Sequence, residues 1–197
     1  MEYSEQYRFY YHPNPLDGRV AVCAKGSAGE AYFGHFFWDT EIYLLPFYLY
    51  TRPEAARALM EFRVHTLPGA ERNAALYGYR GARFPWESSV SGDEQCPNWQ
   101  YADFEVHVTA DVVHALRHYA AATGDNGMVT GAADLLLETA RYWVSRVERR
   151  PDGRVNLNGV MGPDEYLCFS NNNAYTNEMV RRALRFTVET LHALQGA

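Results

Sequence analysis

Lysine is almost missing from this sequence. Lys25 is the sole one in 197 residues, and 18 Lys+Arg stand against 24 Asp+Glu for a formal net charge of −6. Basic residues run no further than pairs such as Arg149-Arg150, so a polyanion backbone finds no electrostatic hold and nucleic acid is excluded as a partner. Cysteine is scarce as well: Cys23, Cys96 and Cys168 are odd in number, widely separated and without Cys-x-x-Cys spacing. That excludes a disulfide scaffold and points to a reducing, cytoplasmic compartment. No apolar run is long enough to span a bilayer, and the tyrosine-rich start, broken by Pro13 and Pro15, holds no signal-peptide core. The expectation is a protein with neither export signal nor membrane contact. What is there is a 47% hydrophobic, 15% aromatic chain, enough for one domain, residues 1–197, with a sizeable core.

Residues 1–29 read as an irregular lead-in punctuated by Pro13, Pro15, Gly18, Gly26 and Gly29, with a short strand at most over residues 19–24. Residues 41–50 are apolar nearly all round, the pattern of a buried helix, after which Thr51 offers a cap. Pro53 and Glu54 suit a first helical turn, and Ala55, Ala58, Leu59 and Phe62 recur at helical steps up to a stop near Gly69. A long aromatic stretch over residues 77–101 reads as an ordered functional loop. Val108, Val112, Ala115, Leu116 and Tyr119 form one helical stripe ended by Gly124; Ala133, Leu136, Leu137, Ala140, Val144 and Val147 form the next. Pro151-Asp152-Gly153 is a turn before a brief strand, and a last helix covers residues 177–194. With no strand alternation, an all-α architecture of stacked helical hairpins follows.

Three loops concentrate tryptophan, carboxylate and amide. They are Gly34-His35-Phe36-Phe37-Trp38-Asp39-Thr40-Glu41, Arg83-Phe84-Pro85-Trp86-Glu87-Ser88, and Gly162-Pro163-Asp164-Glu165-Tyr166 with Asn171-Asn172-Asn173 behind it. Flat aromatic faces stack on the C–H groups of a pyranose while carboxylates and amides meet its hydroxyls, so these are the residue types of a sugar site. The alternatives are a core role for Trp38 and Trp86, with Asp39 and Glu87 as helix caps or as partners of Arg83. Adjacent side chains diverge, so at most one of Asp164 and Glu165 faces a substrate; the alternative is a helix-start acid pair. His107, next to Glu105 where the aromatic loop enters its helix, is a site candidate or a hydrogen-bonded structural histidine. His114 and His118, one turn apart with Asp111, read as a solvated helix face, and no metal site is expected. No phosphate-cradling glycine loop occurs.

Together with Ala24-Lys25-Gly26, Gly29-Glu30 and Asn172-Asn173-Ala174-Tyr175-Thr176-Asn177, these motifs resemble glycoside hydrolase family 65. Their order and spacing over about residues 19–194 are similar to the catalytic domain of the disaccharide phosphorylases for maltose, trehalose, kojibiose and nigerose. The resemblance implies an (α/α)6 barrel of the six-hairpin glycosidase type, of which the chain holds about the first half. It implies inverting phosphorolysis of an α-glucoside to β-glucose 1-phosphate, with a saccharide and inorganic phosphate as partners and no cofactor. It makes Glu165 the general acid and places Trp38 and Asp39 on the glucosyl unit being cleaved, with Trp86, Glu87, His107, Asn172 and Asn173 as further pocket residues. The departures are Leu167-Cys168-Phe169-Ser170, where the family carries histidine and polar residues, and an end at Ala197, ahead of the family's phosphate-contacting loop. The alternatives are a trehalase-like hydrolase or a catalytically silent fragment. A partial barrel would expose apolar helix faces, predicting a homodimer or association with the rest of the barrel.

Overall fold

The computed structural model describes residues 17–24 and 31–195. Most of the lead-in, including Lys25 and Gly29-Glu30, lies outside them. Val20, Ala21 and Cys23 are buried, but residues 19–24 form no strand. The segment is irregular and meets the helices side on, with the Val22 carbonyl accepting from the Thr40 hydroxyl at 3.3 Å.

A π-helical turn, Thr40–Leu44, leads directly into α1 (Leu45–Thr51). Burial on all sides, as the apolar run suggested, is not what forms. Thr40, Glu41, Leu45 and Leu49 face inward, while Tyr43, Phe47 and Tyr50 are largely exposed, because the helix packs on one side only. Thr51 does not cap the next helix; its hydroxyl donates back to the Phe47 carbonyl at 2.7 Å. Helix α2 (Pro53–His65) starts on its proline as the pattern required and stops before Gly69. A second helix, α3 (Leu67–Leu76), follows immediately. Gly69 sits inside α3, where a Cβ would lie 2.4 Å from the Ser91 carbonyl oxygen. The glycine thus serves close passage of the aromatic loop over the helix rather than helix termination.

After that loop come α4 (Trp99–Phe104), α5 (Val108–Thr123), α6 (Asn126–Gly131) and α7 (Ala133–Arg146). The strands β1 (Glu148–Arg149) and β2 (Val155–Asn156) pair antiparallel around the Pro151-Asp152-Gly153 turn, and α8 (Ala174–Gln195) closes the order. Helix α5 carries its expected stripe into the core and ends at Gly124 in the left-handed conformation. In α7 the buried stripe is Leu135, Leu136, Thr139, Tyr142 and Trp143, rotated from the expected one, and Val144 is exposed. The large apolar area of Tyr142 and Trp143 outweighs that of the small aliphatics and sets the phase. Helix α5 is central, packed by α8 on one side and by α2 and the π turn on the other. No helix among the described residues is long and apolar enough to cross a membrane.

One ion pair joins these layers out of contact with water. Arg63 of α2 is fully buried; its Nε and Nη2 donate to Glu41 Oε1 and Oε2 at 2.6 and 2.9 Å. The guanidinium also lies 5.5 and 5.6 Å from the rings of Phe62 and Phe84. Burial pushes the Glu41 carboxyl upward from its usual range, and Arg63 opposes that shift. Removing one member strands the other charge. Arg63→Ala should therefore cost about 3–5 kcal/mol, read as a lower urea midpoint, whereas Arg63→Met combined with Glu41→Leu should restore most of the loss.

Candidate active site

The first two aromatic loops are bound together by a single antiparallel bridge. Phe36 and Ser88 exchange backbone hydrogen bonds of 3.0 and 2.8 Å. Two residues from this bridge on either side stand Trp38, where the chain turns into the helix, and Trp86. Their ring centroids are 6.5 Å apart with planes 30° from parallel. The 86–96 loop is shaped from within by Glu94, which sequence reasoning passed over. Its carboxylate accepts from the backbone N–H groups of Trp86 at 2.7 Å, Glu87 at 3.0 Å and Cys96 at 3.1 Å. Burial raises the Glu94 carboxyl while these N–H donors pull it down.

The third loop is closed by a second bridge, Val160 with Ser170, and its base is tied to α4 by the Met161 N–H on the Phe104 carbonyl at 2.9 Å. Asp164 turns inward to its own loop and accepts the Tyr166 N–H at 3.2 Å. Glu165, beside it, is exposed at the tip. Gly162 is not there for a left-handed bend, since its φ is not positive. A Cβ at that position would lie 2.5 Å from the Asn173 amide.

Glu165, Trp38, Asp39, Trp86 and Glu87 line one cleft of about 460 Å³, joined by Tyr32, Phe37, Cys96, Asn98 and Tyr101. Among the described residues neither the Asp39 nor the Glu165 carboxylate has a hydrogen-bond partner. Glu87 is 4% exposed and its Oε1 lies 2.8 Å from His35 Nδ1, so its partner is His35 and not Arg83. Arg83 is buried elsewhere, donating to the Ala102 and Asp103 carbonyls and stacking 4.0 Å from the Tyr77 ring. Tyr101 lines the same cleft as Glu165, whose negative charge raises the Tyr101 hydroxyl above its usual value. Burial lifts the Cys96 thiol to about 11, so it stays protonated at neutral pH. Tyr101, Asn98 and Cys96 carried no motif in the sequence; only chain folding brings them to this wall.

Three pocket candidates lie elsewhere. Asn173 caps α8, its Oδ1 accepting from Thr176 N–H at 3.1 Å, and it buttresses Gly162 from behind. Asn172 adopts φ +54°, accepts from Leu157 N–H at 2.9 Å and donates to Asn156 at 3.2 Å. Both amides flank the acid loop and do not line the cleft, because the segment after β2 engages Asn172 and the first turn of α8 engages Asn173. His107 is fully buried beneath the indoles, with Nδ1 2.6 Å from Asp111 and Nε2 2.9 Å from Glu105. It meets the cleft through the indoles of Trp38 and Trp86, 4.8 and 5.9 Å away between ring centroids. Asp111 points at this ring and at Tyr175, away from any shared site with His114 and His118.

The family model described as the glycosyl hydrolase family 65 central catalytic domain matches residues 6–197. The chain belongs to family 65. It is 43% identical over 199 residues to a kojibiose phosphorylase of Halothermothrix orenii, covering 93% of this chain and 26% of that protein. The kojibiose phosphorylase of Escherichia coli is 45% identical over 84% of this chain, and a protein-glucosylgalactosylhydroxylysine glucosidase of Gallus gallus 43% over 83%. A solved structure of a candidate kojibiose phosphorylase from the human microbiome superposes with a TM-score of 0.86 at 36% identity over 94% of this chain. The fold is thus mostly helical and matches part of the family 65 (α/α)6 barrel, about 25% of that solved chain. The chain spans about a quarter of the length of the curated relatives it matches.

Burial alone would lower the His107 pKa; the hydrogen bonds to Asp111 and Glu105 more than reverse that and hold it up to about 9. The stabilisation this contributes is complete below the unfolded value of about 6.5 and is lost as pH rises through about 9. The shift corresponds to about 3 kcal/mol at most. Chemical denaturation at about pH 6 and about pH 9.5 should show a larger fall in stability for the wild type than for His107→Gln, which lacks the titrating ring.

Proposed function

We propose that the protein carrying this chain cleaves an α-linked glucosyl disaccharide of the kojibiose, nigerose, trehalose or maltose type by inverting phosphorolysis. The observation that carries this reading is the cleft itself, in which the unpartnered Glu165 carboxyl shares a wall with Trp38, Asp39 and Trp86. Family membership and relatives named as kojibiose, trehalose and nigerose phosphorylases support it.

In this scheme the glucosyl ring lies against the Trp38 and Trp86 faces, with Asp39 and Glu87 accepting from its hydroxyls. Glu165 gives its proton to the bridging oxygen as the C1–O bond breaks, and the acceptor sugar leaves with that proton. A phosphate oxygen forms the new bond to C1 from the opposite face, giving β-glucose 1-phosphate. Phosphate arrives already anionic, so no base carboxylate is required to activate it. It needs cationic or N–H donors, and none of the described side chains lining the cleft is a lysine or arginine. Leu167-Cys168-Phe169-Ser170 borders the acid loop where the acceptor sugar would lie, and this region sets the choice of linkage.

Hydrolysis is the second reading, favoured by the avian glucosidase relative at the same 43% identity. Assay of the full-length polypeptide on the four disaccharides, with and without inorganic phosphate, separates the two. Phosphorolysis is supported when glucose 1-phosphate forms and turnover depends on phosphate; free glucose from both halves without phosphate overturns it in favour of hydrolysis. Glu165→Gln should lower kcat by about 10²- to 10⁴-fold with little change in glucose affinity, since the amide keeps the shape and loses the proton.

A further inference from the structure

Against the two indoles lies a buried unit whose own residues do not line the cleft. Both ring nitrogens of His107 face carboxylate oxygens, Nδ1 toward Asp111 Oδ2 at 2.6 Å and Nε2 toward Glu105 Oε2 at 2.9 Å. Ionised carboxylates only accept, so both contacts are satisfied at once when the ring carries a proton on each nitrogen. Asp111 is an acceptor at its second oxygen too, taking the Tyr175 hydroxyl at 3.0 Å. The ring itself is boxed by aromatic groups set close to perpendicular: Trp38 at 4.8 Å and 79°, Tyr175 at 5.3 Å and 85°, Trp86 at 5.9 Å and 77°. A cation held in such a box attracts the electron-rich faces around it and resists any rotation that would break a hydrogen bond. The other charged groups around the unit are Glu41, neutralised by Arg63, Glu165, whose charge acts on Glu105, and His114 about two turns along from His107 and pushed toward neutrality by burial.

We infer that His107, clamped between Glu105 and Asp111, is a positioning residue that donates from both nitrogens and locks Trp38 and Trp86 in the orientation a bound hexose requires. The hexose part of this statement rests on the sugar-site reading above; the locking of the indoles does not. It explains why two carboxylates and a histidine are spent in a water-free place beside the cleft.

The test uses the intact chain and three readouts: imidazole and indole N–H resonances by NMR, far-UV circular dichroism, and glucose titration followed by indole fluorescence. In the wild type at neutral pH, His107 should show two slowly exchanging N–H protons. His107→Phe keeps a ring but no donor. It should retain the helical signal, move the indole N–H resonances of both Trp38 and Trp86, and weaken glucose binding by about tenfold or more. His107→Gln, with a donor for one carboxylate only, should fall between the two. If His107→Phe loses its helical signal, His107→Gln decides alone, with shifted indole resonances supporting the proposal and unchanged ones overturning it. A single His107 N–H proton in the wild type, or unchanged indole resonances in a folded variant, overturns the proposal. Absence of glucose binding by the wild type would instead count against the sugar site, and the resonances would still decide the role of His107.

Discussion

The bidentate contact of Arg63 on Glu41 is made where water cannot reach it, and a charge pair in that setting tolerates little displacement. Glu41 lies three residues beyond Trp38, and the same guanidinium reaches the Phe37 carbonyl at 3.4 Å. The backbone that presents Trp38 and Asp39 is therefore held to α2 from both sides. Because Arg63 also stacks on Phe84, two residues before Trp86, one buried cation positions both tryptophan loops. The Phe36–Ser88 bridge then sets their register.

Around that anchor, polar side chains divide into those that hold and those left open. Glu94, Asn172 and Asp164 spend their acceptors on backbone N–H groups of the loops, and Asn173 spends its own on the first turn of α8. Asp39 and Glu165 spend theirs on nothing among the described residues and face the cleft. A loop buttressed by its own amides can expose a carboxylate without collapsing onto it, which is the condition for presenting an acid to a ligand. Glu165 meets that condition because Asn173 presses on Gly162 from behind and the Val160–Ser170 bridge closes the loop at its base.

Much of this was legible in the amino-acid order, and where legibility stopped it did so for identifiable reasons. Pro53 and Gly124 punctuate helices because proline lacks the N–H that a first turn leaves unused and glycine accepts a left-handed residue without strain. Those boundaries are local properties. The phase of α7 was misread because hydrophobic spacing does not say that Trp143 and Tyr142 outrank Val144 for the same space. The open face of Tyr43, Phe47 and Tyr50 was missed because an all-apolar helix does not state which of its sides finds a neighbour. Asn172 and Asn173 looked like ligand groups for the good reason that amides serve both roles.

By itself the sequence determined the helical class, the three motif loops and the stiff turn that carries Asp164 and Glu165; each depends on residues within a few positions of one another. Tertiary structure alone decided that Tyr101, Asn98 and Cys96 join the cleft, that Glu87 meets His35, and that His107 lies under the indoles rather than among the ligand groups. Those outcomes depend on which chains cross in space and on which polar atoms lose water there. Desolvation, which raises Glu105, and the paired carboxylates that hold His107 charged against its own burial are properties of the packed neighbourhood and are written in no single stretch of the chain.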